Sequence, residues 1–331
     1  MKKVSMQMIA DELNISKNSV SQALRDKPGV SVETKKMVLA KAKELGYEYV
    51  EPQKNKVAKN FLLLATPFAF SQISFFGIII QSIEEVCKHK NCNVTTIPID
   101  DTLLSSSTIP NDWLNYDGIF IISHSNNHFI KRVIDTKIPV VVVDHHDPSF
   151  ITDTILSKNI DGTFQAIQLL VENNHTRIGF IGDINFSPSY LERYYGYQRS
   201  LNHFGLLSDE EIKITQIEET QGDLFNKLKQ VKQMPDAWFC VNSGLAFMLN
   251  SYLQAAGYTI PDDISIICFD DTEFTRMSVP TITNVATDLD FMGKYAVDTL
   301  LNRIKHPKEP VICHQIMPQI NLRDSVKIYN K

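Results

Sequence analysis

From residue 61 onward the chain repeats one rhythm, in which a short run of β-branched or aromatic residues is followed by a stretch of helical length. Phe61 to Thr66, Asn93 to Ile99, Gly118 to Ile122 and Val140 to Asp144 are the first runs. After Leu156 the rhythm restarts, with Arg177 to Gly182, Lys213 to Ile217, Trp238 to Val241 and Ile264 to Phe269. Helical stretches at Phe76 to Lys90, Gly162 to Glu172, Leu191 to Phe204 and Leu245 to Ala256 fall between them. Neighbouring parallel strands need a long crossover, and strands covered by helices on both faces are apolar throughout. A rhythm that starts twice therefore predicts an α/β body of two doubly wound lobes. Late strand-like segments at Ile282 to Thr287 and Val311 to Ile320 flank a helix over Asp290 to Ile304 and are expected to complete both lobes. The expected bounds are an N-lobe of about 61–158 plus 288–310 and a C-lobe of about 160–286 plus 311–331.

The first 50 residues follow a different pattern and predict an all-α head. Ser5 suits an N-cap, and Ile9 and Leu13 form one apolar stripe, with Ala10 small enough for a second helix to cross closely. Asn14 tolerates the left-handed backbone of a sharp turn. Ser16 then caps a second helix whose inner face is Val20 and Leu24, leaving Lys17, Asn18, Ser21 and Gln22 outward. A third helix follows Pro28-Gly29-Val30-Ser31, with Ser31 as cap, Val38, Ala42 and Leu45 buried, and Gly46 as the stop. Two short helices joined this way form a helix-turn-helix, whose second helix enters the major groove of DNA. There Asn or Gln can pair with adenine, and Lys with guanine or phosphate.

Charge supports that reading. Residues 1–60 hold 12 Lys and Arg against 7 Asp and Glu, a net +5 in a chain that totals −5, so the remaining residues carry −10. A basic head on an acidic body is the footprint of a nucleic-acid-binding domain joined to something that is not one. A chain of 331 residues, 43% hydrophobic, suits a small head and a two-lobed body. No apolar run reaches the roughly 18 residues of a membrane span, and Met1-Lys2-Lys3 leads into an amphipathic helix without a signal-peptide core, so a cytoplasmic protein is expected.

Little points to catalysis. The chain has no G-x-S-x-G elbow, no glycine-rich phosphate loop and no H-E-x-x-H, so neither a catalytic residue nor a cofactor is assigned. Cys87, Cys92, Cys240, Cys268 and Cys313 lack paired metal-ligand spacing and are expected to be buried thiols. His145, His146 and Asp147 read as a polar loop between the lobes, since adjacent histidines point apart and no third ligand is suitably spaced, and no metal site is expected.

On such sheets ligands gather outside the carboxyl ends of the strands. Arg193, near the start of a helix, and Asp270, ending the run Ile264 to Phe269, can give charge-assisted hydrogen bonds to vicinal hydroxyls. The alternative is that they pair with each other or cap helices. Asp144, after the Val140 to Val143 run, is a further candidate.

Ser16 to Leu24, Pro28-Gly29-Val30-Ser31, Thr34 and Glu44-Leu45-Gly46-Tyr47 resemble the amino-terminal signature of the lactose-repressor (LacI/GalR) family of bacterial transcription regulators. The likeness continues through Gly162-Thr-Phe-Gln-Ala166, Arg177-Ile-Gly-Phe-Ile-Gly182, Arg193-Tyr-Tyr-Gly196, Phe269-Asp270-Asp271 and Pro280-Thr-Ile-Thr283. It departs at Gln22, where the family most often has Arg, and at Arg25, where it often has Asn, which implies a different operator preference.

The resemblance implies a body like a periplasmic sugar-binding protein, crossed three times by the chain. It implies that Arg193 and the first Asp of F-D-D, Asp270, contact a small effector. It adds Phe75 or Phe76 as a stacking aromatic and Asn242 as the Asn of the family's N-D-x-x-A, here followed by Ser243. In the head it implies DNA contacts among Ser5, Ser16, Lys17, Asn18, Ser19, Ser21, Gln22, Arg25 and Ser31.

Residues 51–60 stand where the family carries a short hinge helix whose Leu wedges into the minor groove. Ala58 has no Leu three residues on, since Phe61 belongs to the first strand, so a linker that orders on DNA with less bending is expected. Lys54, Lys56 and Lys59 remain as phosphate contacts. The reading as a whole is a homodimeric repressor of an operator in duplex DNA, controlled by a sugar or sugar-like effector. The alternative is a carbohydrate-binding protein or enzyme with an association head.

Overall fold

The computed structural model describes residues 4–25, 29–47 and 58–328. Residues 51–57 of the hinge expected over 51–60, with Lys54 and Lys56, lie outside the described residues. The chain divides into an amino-terminal unit and a larger one beginning at Ala58.

In the amino-terminal unit α1 (Met6–Glu12), α2 (Lys17–Leu24) and α3 (Val32–Glu44) enclose a small core of Ile9, Ala10, Val20, Ala23, Val38 and Ala42. Each helix starts at a serine whose hydroxyl accepts a backbone N–H, from Met8 to Ser5, from Ser19 to Ser16 and from Thr34 to Ser31. Asn14 adopts φ 52°, the left-handed residue that turns the chain between α1 and α2. Ala23 takes the fully buried place expected of Leu24, and Leu24 and Leu45 pack at the rim.

The larger unit holds two six-stranded sheets. The first contains β1 (Lys59–Ala65), β2 (Cys92–Pro98), β3 (Gly118–Ile122), β4 (Val140–Val143), β5 (Asp153–Ser157) and β11 (Cys313–Ile316), in the order β11-β5-β4-β3-β1-β2 with all pairs parallel. The second contains β6 (Ile178–Ile181), β7 (Lys213–Ile214), β8 (Ala237–Cys240), β9 (Ser265–Phe269), β10 (Thr283–Ala286) and β12 (Gln319–Asn321), in the order β12-β10-β9-β8-β6-β7. Only β12 runs antiparallel to its neighbour.

Strand residues alternate between two cores, as the period of two requires. In β1, Phe61, Leu63 and Ala65 face the helices Ile78–His89 and Leu289–Lys305, while Leu62 and Leu64 face Trp113 and Phe129. The second sheet packs around Phe180, Phe239, Phe269 and the helix Ser243–Ala255.

The chain crosses between the sheets after β5, after β10 and after β11. At two of these crossings the Thr287 hydroxyl meets that of Ser157 at 2.8 Å, out of reach of solvent.

Four expectations need correction. The segment after residue 311 does not belong wholly to the C-lobe, because β11 pairs with β5 and only from Gln319 does the chain rejoin the second sheet. Lys59 is not in a linker: it opens β1, pairs with Cys92 across the sheet and lies 3.5 Å from Asp117. β5 was not foreseen, because its first residue is a carboxylate, Asp153. Arg303 neutralises that carboxylate through contacts of 2.7 and 2.8 Å and lets it sit 2% exposed. Cys313 is exposed, on the edge strand β11, whereas the other four cysteines are buried.

Candidate functional site

In both sheets the chain moves outward to one neighbour and then returns to the other side of the starting strand, at β1 between β2 and β3 and at β6 between β7 and β8. Such switch points leave a crevice at the carboxyl ends of the strands. A cavity of about 590 Å³ lies there, bordered by residues that follow strands of both sheets. His124 comes after β3, Asp144 after β4, Phe186 after β6, Asn242 after β8 and Asp270 after β9. Ser123, Asp144 and Asp270, each directly following its strand, have φ of 73°, 56° and 69°. Left-handed non-glycine residues carry strain, and at the end of a strand they turn the chain sharply outward around the opening.

Arg193 and Asp270 are together at the cavity wall, and they bind each other. Arg193 Nη1 donates to Asp270 Oδ2 at 2.9 Å and to the Val241 carbonyl at 2.6 Å, Nη2 donates to Asp270 Oδ1 at 3.2 Å, and Nε donates to Asn159 Oδ1 at 2.9 Å. The guanidinium lies 3.8 Å from the Phe269 ring centroid, and the side chain is 2% exposed. Burial pushes the Asp270 carboxyl up, and the guanidinium opposes that shift.

Gly196 explains the R-x-x-G spacing. A Cβ there would stand 2.7 Å from the Ile160 carbonyl oxygen, so its absence lets the helix Pro188–His203 lie close on the helix Asn159–Glu172 and brings Asn159 to Arg193. The second Asp of the motif, Asp271, turns away to Arg323 at 2.8 Å and ties down the carboxyl-terminal segment.

The other candidates also border the cavity. Phe75 and Phe76 sit in a short π-helical turn, Ile73–Gly77, and do not open the following helix as expected. Their rings pack edge to face at 4.8 Å, and Phe76 is largely core. Asn242 caps the helix Ser243–Ala255 through Oδ1, and its Nδ2 donates to Glu219 at 3.0 and 2.9 Å and to the Tyr190 hydroxyl at 2.5 Å. Ser243, standing where the family has Asp, is buried against the Thr272 hydroxyl at 2.7 Å. Burial raises the Asp144 carboxyl to about 7 in spite of nearby Arg193.

Several wall residues carry no motif and escaped the sequence reading. Phe68 and Phe186 meet across the opening at 5.5 Å, with His124 4.8 Å from Phe186. Glu219 comes from an irregular loop, keeps surface toward the cavity and is raised by the protein around it. Ser74 donates to Glu273, which links the N-lobe turn to the C-lobe. Among the described residues no group of His, Cys, Asp and Glu is placed to hold a metal ion. His146 contacts Glu192, whereas the Asn127 amide bridges His145 and Asp147, and Asp147 also accepts from Ser149, so the three side chains do not converge on one point.

In the head, Lys17 and Asn18 at the start of α2 are exposed, while Ser19, Ser21, Gln22 and Arg25 are half-buried. Ser5, Ser16 and Ser31 are the helix caps, and the Ser19 hydroxyl meets that of Ser16 at 2.8 Å. Gly29, at φ 121°, leaves room for the Gln22 amide, since a Cβ there would lie 3.1 Å from Gln22 Oε1.

Comparison with known proteins fits this architecture. Residues 167–326 match the model of a periplasmic binding protein-like domain. The chain is similar to the probable HTH-type transcriptional repressor ExuR of Bacillus subtilis, 27% identical with 98% of each chain covered. It is similar also to the HTH-type transcriptional repressor PurR of Haemophilus influenzae, 26% identical over 96% of this chain and 97% of the relative. The chain is thus similar over nearly its whole length to helix-turn-helix repressors, in keeping with its resemblance to the lactose-repressor (LacI/GalR) family. Among solved structures, the lac repressor dimer bound to operator and the anti-inducer ONPF superposes with a TM-score of 0.71 at 19% identity, over 98% of this chain and 99% of that one. The CelR–cellobiose complex gives 0.70 at 19% identity over 97% and 99%. Like these relatives, the chain is a transcription regulator and not an enzyme. Among its described residues no helix is long and apolar enough to cross a membrane.

Proposed function

We propose that this protein is a cytoplasmic, homodimeric repressor that reads an operator with α2 and is controlled by a small polyhydroxylated effector in the interlobe cavity. The observation that carries the reading is the α2 surface. A capped helix start behind a left-handed turn presents Lys17 and Asn18 to solvent, with Ser21 and Gln22 on the same edge. Side chains of these types match the donor and acceptor pattern of base edges in the major groove. A two-fold dimer would place two such helices on a pseudo-palindromic site. Relatives named as helix-turn-helix repressors, and solved relatives carrying cellobiose or ribose, support the same division of labour.

Control follows from the crossings. Both lobes border one cavity, and only three chain segments join the sheets, so a ligand touching both walls favours one lobe arrangement over another. The change in operator affinity is limited by the effector's differential affinity for those arrangements. Selection of bound sites from random duplex DNA with the full chain, followed by gel shifts with and without sugars, tests the reading. A sequence preference that a sugar shifts is expected; uniform, sugar-insensitive binding would refute it.

A further inference from the structure

The charges around the cavity are unbalanced. Arg193 is the one Lys or Arg among the residues that border it, and all but one of its N–H groups are already taken by Asn159, Val241 and Asp270. Its charge is matched by Asp270. Burial lowers His124, which keeps that imidazole neutral near pH 7. Three more carboxyl groups remain, on Asp144, Glu219 and Glu273. Glu219 is the most exposed of the three: the Asn242 amide and the Tyr190 hydroxyl bind it, leaving acceptor positions toward the open space.

Helix N-termini would favour an anion, and several begin at the cavity. Each is already capped by its own chain, through Ser187, Thr220, Asn242 and Thr272. The apolar wall includes the rings of Phe68, Phe75, Phe186 and Phe247, an aromatic lining suited to the C–H surfaces of a sugar or to a cation.

We infer that the cavity takes an uncharged or amine-bearing polyhydroxylated effector and rejects anionic ones, sugar phosphates and sugar acids among them, with Glu219 as the residue that sets this selectivity. The inference rests on the assignment of the cavity as the effector site. Glu219 accepts hydrogen bonds from ligand hydroxyl or ammonium groups, and a phosphate or carboxylate in the same place would face it with no further Lys or Arg among the described residues that border the cavity.

The potential of the cavity can be read without knowing the effector. In the full chain, with exposed Cys313 replaced by Ser, Gln221→Cys puts a thiol at the cavity border two residues from Glu219. Its reaction rates with methanethiosulfonates carrying a trimethylammonium or a sulfonate group are compared with those of a free thiol. The cationic reagent is expected to gain at least tenfold over the anionic one, and Glu219→Gln to lower that ratio at least threefold. Equal rates, a faster anionic reagent or no effect of Glu219→Gln would overturn the inference.

Thermal shift of the natural chain with ribose, ribose 5-phosphate, glucose, glucose 6-phosphate, glucuronate and glucosamine supplies a second test. Any stabilisation should come from the neutral or amine-bearing sugars. A phosphate or uronate that stabilises more than its neutral counterpart would overturn the inference. Neither measurement involves DNA, so a failure of operator control would appear separately.

Discussion

Arg193 and Asp270 form a two-point ion pair at the wall of the cavity, with contacts of 2.9 and 3.2 Å, while the guanidinium rests on the Phe269 ring. A residue pair suited to gripping a ligand is thus also a buried structural pair. Removing one partner of such a pair leaves an uncompensated buried charge, at a cost of about 3–5 kcal/mol. Asp270→Ala is expected to lose stability of that order along with its effector response. Arg193→Met combined with Asp270→Ala should cost clearly less than the sum of the single changes, as coupled sites do. Urea unfolding of the three variants measures this, and additive losses would show that the two residues act independently.

The head offers a separation of roles. Asn18→Ala and Gln22→Ala should relax base preference at individual operator positions, by about 1–3 kcal/mol of discrimination each. Gly29→Ala should resemble Gln22→Ala, because the new Cβ crowds the Gln22 amide and the position holds φ 121°. Lys59→Ala should leave DNA affinity unchanged, since Lys59 is engaged with Asp117 at the edge of β1. Selection from randomised duplexes checks the first three and gel-shift affinity the fourth, and an unchanged preferred sequence in Gln22→Ala would remove α2 from the groove.

Asp144 gives the protein a pH signature. Its carboxyl is held near 7 by burial, well above the usual value in an unfolded chain, so the folded state binds this proton more tightly. The stability it allows is fully present below about pH 4 and declines as pH rises toward 7, because the unfolded state gives up the proton first. Asp144→Asn should melt above the natural chain by clearly more at pH 8 than at pH 5. Equal differences at both pH values would contradict the buried-acid assignment.

The approach of the helices Asn159–Glu172 and Pro188–His203 depends on one missing Cβ. Gly196→Ala would put that atom 2.7 Å from the Ile160 carbonyl and 2.8 Å from Thr163 Cβ, neither of which is the far end of a flexible side chain. A loss of about 1–3 kcal/mol is expected from overpacking, with weaker effector binding as Asn159 withdraws from Arg193. Wild-type stability in Gly196→Ala would mean that the helices can separate freely.

The two lobes were legible in the sequence because strands covered on both faces must be apolar throughout, as Val140–Val143 is. β5 was not, since Asp153 becomes compatible with burial only when Arg303 arrives from 150 residues away. The destination of β11 was misread for a related reason: strand pairing across a crossover leaves no local mark. Arg193 and Asp270 were visible through their spacing to Gly196 and Asp271. Glu219, Phe68 and Phe186 were not, because their positions follow from strand order and loop path, which no short window of sequence encodes.

The most direct measurement is the affinity of the full-length protein for its selected operator and for a scrambled duplex of equal length, at moderate salt, with and without a stabilising neutral sugar. Tighter binding to the operator, by at least a thousandfold, and a shift in that affinity when the sugar is added are expected. Equal affinity for both duplexes, unchanged by any sugar that stabilises the fold, would contradict the account.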